Sequence, residues 1–304
     1  MKNHLQAICA IGLLGLFAGC IRSDATQVQN DPSDVRIMSF NILYIRSPDK
    51  ENTWEKRKDL VVDMIKKTSA DTVGLQEAEF PQVEYLKKCL SDQYGFVLAY
   101  ADGGTGNHSN ALLYRKDRWM LEEHGSFWFS STPDKPASMG WGNSKPRLCT
   151  WARLVDKKTG KGYYHFNTHL DHKSQPSRER SAVLIAQRIA QRTHPEDPFA
   201  VTGDFNSKEN NPVVGFFKGG TLTLDGKTVS NPVPMTDCLR AIHGDQAKIA
   251  TYNGFNPSRT YDRIDYVWAG GFDKVLDAQV LQDRYDGRYP SDHFPTTADL
   301  RLKQ

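Results

Sequence analysis

The segment AVTGDFNSKENNP, Ala200 to Pro212, closes an apolar run by placing Asp204 and Asn206 two residues apart. A carboxylate at such a strand end can orient water for hydrolysis, or it can simply close an Asx-turn with Asn206. Comparable residues stand at the ends of other apolar runs: Asn41 after VRIMSF, Glu77 after DTVGLQ, His169 and Asp171 around YYHFNTHLD, Asp265 in RIDYVW, and Asp292 with His293 in SDHF. Each short motif is weak alone, since a lone asparagine or aspartate suits a turn. Their recurrence at the ends of separate runs is the signal, because strand ends on one sheet edge converge on one cleft.

Asp265 interrupts an apolar strand, where an unpaired charge is expensive, so it requires a partner. A histidine is the natural one: a carboxylate on one ring nitrogen fixes the tautomer and raises the basicity of the other. His293 is the expected partner. Two histidines with several oxygen ligands and no thiolate favour Mg2+ or Mn2+ over zinc. Such a set suits phosphoester hydrolysis, in which a metal neutralises phosphate, a carboxylate orients water and histidines bind or protonate oxygens.

Positioning these groups takes strands and the helices that cover them. Apolar patterning predicts strands at VRIMSFNIL, DTVGLQE, YGFVLAY, NALLYRKDRW, FWFSS, CTWARLVD, YYHFNTHL, FAVTGD, RIDYVW, VLDAQVL and TTADLRL. NTWEKRKDLVVDMIKK predicts an amphipathic helix, with Asn52 as cap, Glu55 three residues on, and Leu60, Val61, Met64 and Ile65 at helical spacing. PQVEYLKKCL and PSRERSAVLIAQRIAQRT, the latter opened by Pro176, predict two more. Strands spread over the whole chain with helices between them point to an α/β layered sandwich.

The chain has 304 residues, 38% hydrophobic and 25% charged, with a formal charge of +3. So even a balance provides no global footprint for nucleic acid, although a local basic patch could hold a phosphate. No solenoid repeat, heptad run or low-complexity segment interrupts residues 34–304, which read as one domain. Residues 1–19 read as a secretory signal: Lys2 precedes an uncharged run from Leu5 to Phe17, shorter than the roughly 20 residues a bilayer span takes. The ending FAGC resembles a bacterial lipobox, which would make Cys20 the lipidated start of an exported domain anchored to the cell envelope. Residues 20–33 then form a polar tether. Cys89, Cys149 and Cys238 lack the spacing of a zinc site or disulfide scaffold; one disulfide is possible in an oxidising compartment, and burial as small hydrophobes is the simpler expectation.

SFNIL, GLQE, NTHLD, GDFN, RIDYV and SDH, in this order, resemble the endonuclease/exonuclease/phosphatase superfamily, which includes DNase-type nucleases, abasic-site endonucleases, sphingomyelinases and inositol polyphosphate phosphatases. The likeness covers nearly all of residues 34–304. It implies a four-layer α/β sandwich of two packed, mainly antiparallel sheets flanked by helices. It also implies Glu77 as the principal Mg2+ (or Mn2+) ligand with Asn41 and Asp292, and Asp204 and Asn206 orienting the attacking water and touching the scissile phosphate. His169 and His293 would bind phosphate oxygens, with Asp265 holding His293 and Gly203 letting the backbone turn tightly. Proton removal from water falls to Asp204 and His293 jointly.

Other residues bear on the substrate. Arg115 and Arg147 are candidate phosphate clamps, since guanidinium matches phosphate oxygens bidentately. Trp128 and Trp151 suit the core, whereas Trp141, in a Gly-rich loop, could stack on a ring. Tyr252, Phe255 and Arg259 precede the Asp265 strand and suit a small ring, a nucleotide or a sugar phosphate. Many relatives carry a glutamate before the strand equivalent to NALLYR, where it orients the first catalytic histidine. Here His108 and Ser109 stand near that position, so that either another group such as Asp171 supports His169 or the site is electrostatically altered.

The expectation is therefore a metal-dependent phosphoester hydrolase, first a phosphodiesterase or nuclease acting on extracytoplasmic nucleic acid or nucleotides. The alternative is a phosphatase of sugar or lipid headgroup phosphates, and a second alternative is a silent binding lipoprotein. A monomer with no protein partner is expected.

Overall fold

The computed structural model describes residues 34–46, 49–104, 106, 108–256 and 262–303. The expected signal, tether, Cys20 and Arg259 lie outside these residues.

Two six-stranded sheets form the centre. The first has the order β13-β14-β1-β2-β4-β3, built from β1 (Asp34–Asn41), β2 (Thr72–Gln76), β3 (Tyr94–Val97), β4 (Leu112–Arg115), β13 (Lys274–Val280) and β14 (Thr296–Arg301). The second has the order β11-β12-β8-β7-β6-β5, built from β5 (Trp119–Trp128), β6 (Leu148–Asp156), β7 (Gly162–His169), β8 (Phe199–Asp204), β11 (Thr236–Asp237) and β12 (Asp265–Gly270). β9 (Thr221–Leu224) and β10 (Lys227–Ser230) make a separate hairpin. Pairing is antiparallel except for β1 with β2 and β7 with β8, one parallel pair inside each sheet. Those two pairs send four carboxyl ends to the same edge region.

Period-two alternation divides the strand residues between the faces. Val35 and Ile37 of β1, Ala200 of β8, Val267 of β12 and Ala298 of β14 fill the layer between the sheets. Met38 and Phe40 face outward to α1 (Trp54–Thr68) and α2 (Phe80–Leu90). Phe166, Val201, Tyr266 and Trp268 face outward to α3 (Gln175–Ala190) and α4 (Pro212–Phe217). The order helix, sheet, sheet, helix gives the four layers expected. Following the inner row toward the strand ends, apolar residues give way to Thr72, Gln76, His165, Asn167 and Thr202, all buried. Gln76 Nε2 donates to Asn167 Oδ1 at 2.7 Å, and Thr202 Oγ1 donates to the same oxygen at 3.0 Å. His165 bridges Thr72 Oγ1 (2.9 Å) and Thr202 Oγ1 (2.8 Å). These bonds fix the register of one sheet on the other immediately below the functional strand ends. Gly74 belongs to this seam: a Cβ there would stand 2.2 Å from Thr202 Oγ1.

Local differences from the sequence reading have identifiable causes. α1 is capped by Thr53, not Asn52, because the Asn52 side chain is bonded to Asp49. β5 runs unbroken through MLEEHGS, an edge strand whose exposed charges hide its pattern. α4, α5 (Cys238–His243) and the β9–β10 hairpin occupy a stretch with no expected element; each helix or strand in it is six residues or fewer, too short for periodicity to register. Cys89, Cys149 and Cys238 are all free, the last two buried.

Candidate active site

Asn41 ends β1, Glu77 follows β2, His169 ends β7 and Asp204 ends β8. Asp265 opens β12 directly across from Asp204 in register, and His169 is likewise paired with Asp204. Asp204 therefore sits between its two strand neighbours at the centre of the edge. Its Oδ2 accepts from Asn41 Nδ2 of the opposite sheet at 3.1 Å and lies 3.3 Å from His169 Nε2 and 3.9 Å from His293 Nε2. Its Oδ1 accepts from the Asn206 backbone N–H at 2.9 Å, an Asx-turn that swings Asn206 into left-handed backbone (φ 47°). The Asn206 amide then donates to Leu170 O and to His169 Nε2, both at 3.0 Å.

Gly203 does not turn the chain, contrary to expectation. It lies inside β8, and a Cβ there would meet the Thr168 carbonyl oxygen of β7 at 2.3 Å. Its role is close strand approach, which brings Asp204 and His169 together.

His293 Nδ1 is 2.9 Å from Asp265 Oδ2, the pairing expected. The Asp265 backbone N–H is in turn bonded to Thr251 Oγ1 at 3.0 Å. Burial opposes a charge on His293, but Asp265, followed by Asp292 and Asp204, outweighs it and raises the imidazole well above its usual range. His169, buried beside Arg147, is held well below it and is neutral. Burial and the adjacent Asp265 push Asp204 upward.

Glu77 also has left-handed backbone (φ 64°), which re-aims its carboxylate after β2. Its Oε2 accepts from the Tyr44 N–H at 3.1 Å, while Oε1 stands 4.0 Å from His169 Nδ1. Asp292 is fixed through its carbonyl, which accepts from Asn253 N and Gly254 N, and Ser291 Oγ ties the same segment to Asn41 O at 2.6 Å. Burial and Asp292 raise the Glu77 pKa, the repulsion between carboxylates that a divalent cation relieves. Asn41, Glu77 and Asp292 supply hard oxygen donors, a set that fits Mg2+ or Mn2+. Asp204, Asp265 and His293 also offer one ligand atom each within 4.8 Å of one another. The Asp265–His293 hydrogen bond uses Oδ2 and Nδ1 only, and leaves Asp265 Oδ1 buried without a hydrogen bond.

A cleft of about 370 Å³ opens above these groups, lined by Tyr44, Glu77, His108, Lys145, Arg147, His169, His172, Asp204, Asn206, Tyr252, Ile264 and His293. Arg147 is buried, 3.7 Å from Asp171 and 3.3 Å from His172 Nδ1. Burial, Lys145 and Arg147 push His108 down to about 4. Lys145 and His172, absent from the sequence reading, complete a basic wall facing the carboxylates. Tyr252 meets the His293 ring edge-on at 5.1 Å.

Four further residues depart from the sequence reading. Arg115 ends β4, which runs antiparallel to β2, so it lies at the far end of the sheet and pairs with Asp117. Asp171 does not support His169: its carboxylate accepts from Ser144, Lys173 and Ser174 and fixes the loop that carries Lys145. Phe255 packs 5.8 Å from Arg57 outside the cleft lining. Trp141 packs against the core under α3, held by Ser174 Oγ on its carbonyl, and has no place in the cleft. Trp128 and Trp151 are core or core-flanking as expected.

Two face-to-face sheets flanked by helices, with carboxylates and imidazoles gathered at one edge, make a DNase-like α/β sandwich. The model of the Endonuclease/Exonuclease/phosphatase family matches residues 38–293, and the chain belongs to that family. A family member from Bacteroides vulgatus is 30% identical, with a TM-score of 0.79 over 89% of this chain and 99% of that one. A mannosyl-6-phosphatase of Bacteroides thetaiotaomicron is 28% identical, with a TM-score of 0.77 over 88% and 100%. Nocturnin of Drosophila melanogaster is 22% identical over 88% of this chain and 47% of its own length, and a protein of Acanthamoeba polyphaga mimivirus is 29% identical over 51% and 60%. The chain thus spans about half to three fifths of these two curated relatives.

Proposed function

We propose that this protein is a Mg2+- or Mn2+-dependent phosphatase that removes the terminal phosphate of a phosphorylated sugar. The observation that carries this reading is the basic wall of Lys145 and Arg147 in a cleft of only about 370 Å³. A monoester phosphate carries up to two negative charges and needs that wall, whereas a nucleic-acid strand would need a basic groove extending well beyond it. The likeness to a mannosyl-6-phosphatase across almost the whole domain supports the same choice.

Asn41, Glu77 and Asp292 would hold the metal, which supplies charge neutralisation at the phosphate oxygens. Asp204, braced by Asn41 and by its Asx-turn, orients the attacking water. Asp265 keeps a proton on His293 Nδ1 and, by raising the imidazole, on Nε2 as well, so that Asp204 takes the proton from water while His293 Nε2 donates to a phosphate oxygen. Neutral His169 and the Asn206 amide meet phosphate oxygens, and Arg147 clamps them from the wall. Tyr44 and Tyr252 flank the space left for the leaving group. Cys20 would anchor the domain outside the cytoplasm, a reading supported by the apolar run before it and tested by fatty-acid labelling of wild type against Cys20→Ala.

Phosphate release from mannose 6-phosphate, compared with hydrolysis of bis(4-nitrophenyl) phosphate and of a single-stranded oligonucleotide, tests the choice. Preference for the monoester is expected. Turnover of the oligonucleotide alone would return the assignment to the nuclease reading, and EDTA-insensitive turnover would reject the metal.

A further inference from the structure

Arg57, on α1, is 1% exposed. Its guanidinium donates to main-chain carbonyls only: Asn52 O at 2.8 Å, Ile42 O at 2.8 Å, Leu43 O at 3.2 Å and Pro290 O at 2.7 Å. Among the described residues no carboxylate pairs with it. A buried cation without an ion partner is costly, so a chain that keeps one gains something that four carbonyl contacts alone do not explain.

The acceptors identify the gain. Ile42 and Leu43 directly follow Asn41, and Pro290 lies two residues before Asp292. Asn41 and Asp292 come from opposite ends of the chain, and one Nη1 atom holds the backbone beside each of them. Ser291 Oγ on Asn41 O is a second tie between the same two segments. Asp292, Glu77 and Asp49 act on this charge without an ion-pair contact, and the rings of Trp54 and Phe255 lie at 5.8 Å each.

We infer that Arg57 is the positioning residue that spaces the Asn41 and Asp292 segments for metal binding. This rests on the assignment of Asn41, Glu77 and Asp292 as the metal ligands. Geometry and charge act in opposite senses here, which makes the inference testable. Loss of the guanidinium fork loosens the ligand spacing and weakens binding, whereas loss of the positive charge alone would strengthen attraction for a second cation.

The test is isothermal titration of the full-length protein with Mn2+, read beside the thermal midpoint without metal. Arg57→Lys keeps the charge and loses the planar fork; Arg57→Met loses both. Both are expected to raise the Mn2+ Kd about 10- to 100-fold, the usual range for residues that orient metal ligands. Ser291→Ala removes the second tie without burying or deleting a charge, and it is expected to weaken Mn2+ binding in the same direction even if the Arg57 variants do not fold. Wild-type affinity in Ser291→Ala or Arg57→Lys, or tighter binding by Arg57→Met, would overturn the inference. Failure of the wild type to bind Mn2+ would instead remove the metal reading on which it stands.

Discussion

Asp265 Oδ2 lies 2.9 Å from His293 Nδ1, while the Asp265 backbone pairs in register with Asp204, so one residue fixes both Asp204 and His293. The consequence is a separable effect. Asp265→Asn keeps the strand pairing but removes the carboxylate that orients His293 and holds its charge. A loss of about 10²- to 10⁴-fold in kcat with little change in KM is expected from steady-state kinetics. A folded Asp265→Asn variant that keeps wild-type kcat would contradict that role.

Gly203 and Thr168 approach so closely that a single methyl cannot be admitted without strand separation. Gly203→Ala is expected to cost about 1–3 kcal/mol of stability, the range for overpacking, and to lower activity beyond that loss by parting His169 from Asp204. Urea denaturation and kinetics on the same preparation measure both effects.

How much of this was legible in the sequence depends on which property each residue expresses. Asn41, Glu77, His169, Asp204, Asp265 and His293 stand beside apolar runs of period two, and their convergence follows from strand ends sharing an edge. Arg115 has the same look and the opposite location, because β4 is antiparallel to β2 and a sequence does not print strand direction. Arg57 reads as one more charge on an amphipathic helix, since its carbonyl partners come from residues 42, 43, 52 and 290. Lys145 and His172 sit in loops whose path is set by Asp171, one of two alternatives the sequence left open for what stands beside His169. The inter-sheet seam was hidden for a similar reason: Gln76, Asn167 and Thr202 only become a network once two sheets are stacked.

The seam carries a pH signature. His165, enclosed by Thr72 and Thr202, is pushed by burial down to about 3. The folded state holds it neutral, whereas the unfolded chain takes up a proton below about 6.5. Its contribution is therefore fully present above that value and is lost as pH falls from about 6.5 toward 3, at up to about 1.4 kcal/mol per pH unit. Urea melts at pH 7.5 and 4.5 are expected to show a smaller pH difference for His165→Gln than for wild type; parallel curves would remove His165 as the cause.

The two arginines proposed from the sequence now have opposite expectations. Arg147→Lys, which loses the planar clamp in the cleft, is expected to raise KM for a monoester about tenfold. Arg115→Ala removes only a surface pair worth about 0–1 kcal/mol and is expected to leave both kinetic constants unchanged. Matching effects from the two variants would show that the cleft has been drawn in the wrong place.

Asp204, at the meeting point of both sheets, is the residue proposed to handle the attacking water. The most direct measurement is single-turnover phosphate release by wild type and Asp204→Asn with Mg2+ present, each first shown to have a native thermal transition. A folded variant slowed by about 10²- to 10⁴-fold is the expected result, and a folded variant that retains wild-type rate would contradict the account.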